Sequence, residues 1–198
     1  MKKHLLVISL ALVAFFFSSC VEKRDIISTN SIAQIAIRFA DSVNWPYNAD
    51  YQRISYPNGD VKGGGVCTDV VIRVLREVGI DLQKEVHEDI RLHFNEYPQL
   101  WGLQAPDKNI DHRRVPNLMT WFSRKGYDVG VSDRLRDYQP GDIICWRLSG
   151  GLTHTGIHVG DGAVFHNIGP KAKLEKDFLF AYTIIGHYRI KNIEYYEN

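Results

Sequence analysis

The sequence predicts an α+β fold, with amphipathic helices in the first two thirds of the chain and a small antiparallel β-sheet after them. Two observations carry this. Apolar residues recur at helical spacing up to about Gly126 and in short strand-like runs beyond it, and the later runs are separated by tight turn residues that suit a meander. At 198 residues the chain is long enough for one ordinary domain with a real core.

Lys2 and Lys3 form a basic start, the run Leu5 to Phe17 is apolar, and Ser18, Ser19 and Cys20 follow. As a helix that run would be about 20 Å long, short of a hydrocarbon core of about 30 Å, so residues 1–19 read as an export signal rather than a span. Small serines before a cysteine resemble the lipobox of bacterial lipoproteins, in which Cys20 would carry the lipid. Residues 20–30 are polar and read as a tether, leaving 31–198 as a single domain.

Ile32, Ile35, Ala36, Phe39, Ala40 and Val43 lie on one helical stripe, capped by Asn30 or Ser31 and stopped before Pro46. Residues 44–65 have no period, and Gly63-Gly64-Gly65 lets the chain turn into a second helix from Cys67 to Val78, closed by Gly79. A helical piece is expected near Lys84 to Phe94, and Pro116 opens another that Gly126 stops. Strands are expected at Tyr127–Val131, Asp142–Leu148, Thr155–Val159, Ala163–Ile168 and Thr183–Ile190.

Composition narrows the function classes. Lysine plus arginine is 24 against 23 acidic residues, and no basic stripe forms, so nucleic acid is not an expected partner. Hydrophobic residues at 44% and charged residues at 24% are globular values, which exclude wholesale disorder and a multi-span membrane protein. Three cysteines cannot build a disulfide framework.

Chemistry concentrates at two places. Cys67 stands at a helix start, where backbone N–H groups favour a thiolate and can hold an oxyanion. The second place is Thr153 to Gly169, where a three-residue loop at Gly160–Gly162 pairs 159 with 163 and 157 with 165. That register sets His166 opposite Gly156 and diagonal to His154 on one face, with the glycine leaving room between the rings. A thiol, a histidine base and a second histidine to orient it are the parts of a nucleophilic site. His154 and His158 would suit a metal on a helix, but on a strand they stand about 13 Å apart, too far for one metal to bridge, and a thiol mechanism requires no cofactor. His158 and His187 are expected to be core histidines satisfied by the backbone.

The order of Cys67, Pro140-Gly141-Asp142 and His154 to His166 resembles the NlpC-type papain-like peptidases and amidases of bacterial cell walls. More closely, RISYPNGDVKGGGVCTDVVIRVLR, DLQKEVHEDI, NIDHRRVPNL, QPGDIICW, GGLTHTGIHV and VFHNIG together resemble the bacterial domain-of-unknown-function family 1287, a branch of that superfamily. The resemblance implies a papain-like fold, Cys67 as nucleophile, His154 as base and His166 as orienting group. It makes Asp142 a structural residue and sets Tyr56 along the substrate cleft. Where NlpC peptidases usually have Asp-Cys-Ser, this chain has Val66-Cys67-Thr68 followed by Asp69, so the triad carries over better than the substrate.

Asp69, His112, Arg113 and Arg114 are the other expected substrate contacts, the arginines by gripping a carboxylate. The expected function is an envelope cysteine hydrolase, lipid-anchored to the membrane, cutting amide bonds in the peptide stems of peptidoglycan. An ester or thioester hydrolase or acyltransferase on lipid or acylated substrates is the alternative, and a catalytically idle wall-binding module is the second. For the hydrolase, Cys67 is expected to face the cleft with a depressed pKa, beside an inert, buried Cys145.

Overall fold

A computed structural model of the chain describes residues 29–191. The export signal, Cys20 and most of the expected tether lie outside the described residues. Order begins slightly earlier than expected, because the first helix, α1 (Thr29–Ser42), takes in two residues assigned to the tether.

Three further helices follow: α2 (Cys67–Glu77), α3 (Leu82–His93) and α4 (Val115–Arg124). Each buries one stripe. Ile32 and Ala36 of α1, Val70, Val71, Val74 and Leu75 of α2, Leu82, Val86 and Ile90 of α3, and Leu118, Trp121 and Phe122 of α4 meet in one core. The helix ends follow local chemistry. Asp81 accepts the Gln83 and Lys84 N–H groups at 3.0 and 3.3 Å to open α3, and Gly79, at φ 78°, ends α2 in the left-handed region that glycine tolerates.

Among the described residues there are five strands, β1 (Ile143–Arg147), β2 (Thr153–Gly160), β3 (Ala163–His166), β4 (Lys173–Glu175) and β5 (Thr183–Tyr188). They form one antiparallel sheet in the order β4-β3-β2-β1-β5. Its two faces are buried against different material. Ile143, Cys145, Ile157 and Phe165 join the helical core. Ile144, Trp146 and Val164 face the other way into a second cluster with Tyr138, Phe178 and Leu179. Burial on both faces explains why Ile143-Ile144-Cys145-Trp146 is apolar at every position instead of alternating.

Two strand expectations need correction. Tyr127–Val131 is not a strand: Asp128 makes a single bridge to Tyr188, and Gly130, at φ 80°, then turns the chain away. The strand that sequence reasoning missed is β4, which is short, lies at the sheet edge and has one apolar residue, Leu174, too little for a period-two signal.

Asp142 closes the sheet at the start of β1. Its fully buried carboxylate accepts Arg189 Nε and Nη2 at 2.7 Å each and the Gln139 N–H at 2.7 Å, and lies 2.7 Å from His187 Nε2. Burial acts to raise its pKa, and the bonds from Arg189 and His187 outweigh that, holding it below the usual carboxylate range. Asp142→Ala leaves the half-buried Arg189 guanidinium and the buried His187 without this partner and is expected to cost about 3 kcal/mol in urea unfolding. A loss below about 1 kcal/mol would show that the node is dispensable.

Candidate active site

The hairpin β2–β3 delivers the two histidines. Gly156 pairs with His166 and Ile157 with Phe165, as expected, while the turn differs: Gly160 pairs with Ala163 through a bulge at Val159, leaving Asp161 and Gly162 as the turn. Both turn residues have positive φ, 49° and 75°. The bulge lies between the turn and His158, so the register at His166 is untouched. A Cβ at Gly156 would sit 2.9 Å from the His166 Cβ and 2.8 Å from Val164 Cγ1, which reserves this position for glycine.

The diagonal then closes. His154 Nε2 and His166 Nδ1 are 2.8 Å apart, and His166 Nε2 lies 3.1 Å from Glu175 Oε2. Glu175 in turn pairs with Lys173 Nζ at 2.7 Å. The rings are walled by Phe178, at 4.1 Å between centroids from His166, and by Trp146, at 5.7 Å from His154. Burial drives both histidines toward the neutral form, His154 down to about 3 with help from His166, and His166 down to about 4 against the pull of Glu175. Glu175 escaped the sequence analysis with β4 itself. Its signal was the Lys-x-Glu spacing alone, which carries no meaning until the register sets it diagonal to His166.

Cys67 opens α2, as expected, but its environment differs from the expectation. The side chain is half-buried and packs on the helical core, in the cluster that contains Cys145. It meets β2 at Thr155, whose backbone N–H favours the thiolate, as do those of Thr68 and Cys67 itself. Thr155 Oγ1 also lies 3.5 Å from Cys145 Sγ, so the two free thiols share a neighbour rather than facing cleft and core separately. Burial, with the charge of Asp69 added, pushes the Cys67 thiol up to about 11, the reverse of the expected depression. Successive residues of β2 point to opposite faces, so the Thr155 side chain turns toward Cys145 while His154 turns toward Trp146 and Phe178. Among the described residues no hydrogen bond joins Cys67 to His154.

The expected substrate contacts are engaged elsewhere. Asp69 and Arg113 form a buried bidentate pair at 2.9 and 3.0 Å, and Asp69 also accepts the Val66 N–H at 2.6 Å, which ties the residue before α2 to its first turn. They fix the helix start instead of gripping substrate. His112 is buried, its Nδ1 has no partner, and burial with Arg113 nearby lowers it to about 3. Arg114 lies over the Trp101 ring at 4.0 Å. Tyr56 donates to Glu88 at 3.2 Å and sits edge-on to His87, on α3. His158 is satisfied by the Gln139 carbonyl and the Gly162 N–H, as expected. His187 departs in part, with one nitrogen on the Gly130 carbonyl and the other on Asp142.

The model of a protein family described as a domain of unknown function, DUF1287, matches residues 36–190. The chain belongs to that family. A curated relative, the uncharacterized protein YijF of Escherichia coli (strain K12), is 53% identical over 151 residues, which cover 72% of this chain and 73% of the relative. Among solved structures, NlpC1 from Trichomonas vaginalis superposes with a TM-score of 0.45 at 14% identity, over 84% of this chain and 46% of that one. A Staphylococcus aureus (subspecies aureus Mu50) protein of the NLP/P60 family, described as similar to lipoprotein, gives 0.42 at 14%, over 82% and 41%. This chain therefore spans less than half the length of either solved structure.

The thiols separate by pH. Only the thiolate alkylates, so iodoacetamide labelling of native, reduced protein at Cys67 should rise about tenfold per pH unit from 7 to 10 with no plateau. Cys145, buried and pushed up to about 12, should label only after unfolding. A Cys67 rate that levels off below pH 7 would mean a standing thiolate–imidazolium pair and would contradict this electrostatic account.

Proposed function

We propose that the protein is a thiol hydrolase of the cell envelope that cuts amide bonds in the peptide stems of peptidoglycan. The observation that carries the reading is the hydrogen-bonded pair of His154 and His166, one residue along β2 from the Thr155 amide that meets the Cys67 sulfur. The N-terminal export pattern and the sequence resemblance to NlpC-type peptidases support the substrate class.

The chemistry follows from the charges. With the thiol near 11 and the base near 3, the resting pair is neutral, so the proton leaves sulfur as the bond to carbon forms rather than beforehand. Substrate entry must bring thiol and imidazole together, since catalytic hydrogen bonds commonly tighten only in the complex. His154 takes the Sγ proton, sulfur attacks the carbonyl carbon, and N–H groups at the start of α2 hold the oxyanion. His154 then returns the proton to the leaving amine, and water, deprotonated by the same ring, displaces sulfur from the acyl carbon, the ring passing that proton to the departing sulfur. No step calls for a cofactor.

Digestion of purified peptidoglycan with mass analysis of the released fragments tests this. Wild type should release peptide fragments, Cys67→Ala and His154→Ala should lose about a thousandfold or more, and His166→Ala less, because it orients the base without taking the proton. Fragments released equally by Cys67→Ala would sink the thiol mechanism. Wall that is bound but left intact by wild type would leave the idle binding module.

A lipid on Cys20 completes the proposal, supported by the two serines before it. Cys20→Ser should move the protein from the membrane fraction to the soluble envelope fraction with the activity of the domain intact. Wild type found wholly in the soluble fraction would leave an ordinary cleaved signal.

A further inference from the structure

We infer that Glu175 sets the direction of the proton chain through both histidines, and so decides which nitrogen of His154 acts as the base. The inference rests on the thiol-hydrolase reading and adds a positioning residue to it. Two neutral imidazoles joined by one hydrogen bond can be written two ways: His154 donates to His166, or His166 donates to His154. The 2.8 Å between His154 Nε2 and His166 Nδ1 is satisfied equally by both. What lies at the far end must choose.

At the far end is a carboxylate. Glu175 Oε2 lies 3.1 Å from His166 Nε2 and 2.7 Å from Lys173 Nζ. The hydrogen bond from Lys173 holds Glu175 below the usual carboxylate range, so at neutral pH it can only accept. His166 must therefore carry its proton on Nε2. A neutral ring has one proton, so His166 Nδ1 is a lone pair and must accept from His154 Nε2–H. The same count leaves the lone pair of His154 on Nδ1, which makes no hydrogen bond among the described residues. That is the nitrogen free to take a proton from sulfur.

In the reverse chain the His154 proton would sit on Nδ1. The ring would then present a donor to the thiol, and its only lone pair would be tied up by His166. The histidines would be in place and the site would be dead as a base. Sheet register lets the carboxylate reach: His166 pairs with Lys173 and Val164 with Glu175, so Glu175 is the diagonal neighbour of His166 on the edge strand. The groups facing His166 are His154 from β2, Glu175 and Lys173 from β4, and the uncharged Phe178 ring.

The test is the tautomer itself, read at pH 7.5 by long-range proton–nitrogen NMR correlation on the full chain, with resonances assigned by single histidine replacements. Wild type should show His154 and His166 both protonated on Nε2. In Glu175→Gln the side-chain amide can donate as well as accept, so Nδ1–H forms should appear at both rings. With a cleaved substrate in hand, kcat should fall about tenfold, part of what a general base contributes, with KM within about twofold of wild type. Wild-type His166 protonated on Nδ1, or tautomers unchanged in Glu175→Gln, would overturn the inference. The tautomers are read without substrate, so failure to cut peptidoglycan would count against the proposed function and leave this result standing.

Discussion

The pairing of β2 with β3 is the constraint on which the site depends. Strand side chains alternate with a period of two, so a slip of one residue would send His166 into the helical core and Phe165 into the second cluster. Both faces of the sheet are buried, which makes any slip costly on two sides at once. Gly156 sharpens the constraint: its α-carbon faces the His166 Cβ too closely to admit a side chain, and that close approach lets two imidazoles meet across a diagonal. The bulge at Val159 absorbs the mismatch at the turn without disturbing the pair.

Cys67 is held by a separate device. Asp69, in the first turn of α2, accepts the N–H of Val66, the residue before the helix, and is itself held by Arg113 from the turn Asp111–Arg113. Arg113 also reaches the Asp50 carbonyl, and Thr68 Oγ1 donates to the Arg113 carbonyl, so the helix start is tied to two loops. Asn167, next to His166, donates to the Gly65 carbonyl at 2.9 Å and so connects the histidine strand to the approach to Cys67. The same Asp69 that secures the helix raises the thiol pKa. Burial is the larger cause of the raised thiol pKa, and the charge that secures the helix adds to it.

Electrostatic contrast runs across the sheet. At one end Asp142 is surrounded by Arg189 and His187 and stays charged in full burial. At the other, His154 and His166 have only a half-exposed carboxylate at the end of their chain and stay neutral. Charge is kept where it bonds strands together and is absent at the histidine pair.

The local patterns in the sequence determined the helices, four of the five strands, the histidine register and the helix-start cysteine. Each rests on a short-range rule: a 3.6-residue stripe, a cap, a period of two, or a glycine where no Cβ fits. Tyr56, Asp69, His112, Arg113 and Arg114 were chemically suited to bind substrate, but suitability says nothing about which partner a side chain meets first. Folding brought Asp69 to Arg113, Tyr56 to Glu88 and Arg114 to Trp101, and sealed His112 away from solvent. It also decided the state of Cys67, because desolvation depends on everything packed around a thiol, whereas the helix-start rule considers the helix alone. Glu175 was invisible for the same kind of reason. Its role exists only through a strand pairing between residues nine apart in the chain, on an edge strand too short to announce itself.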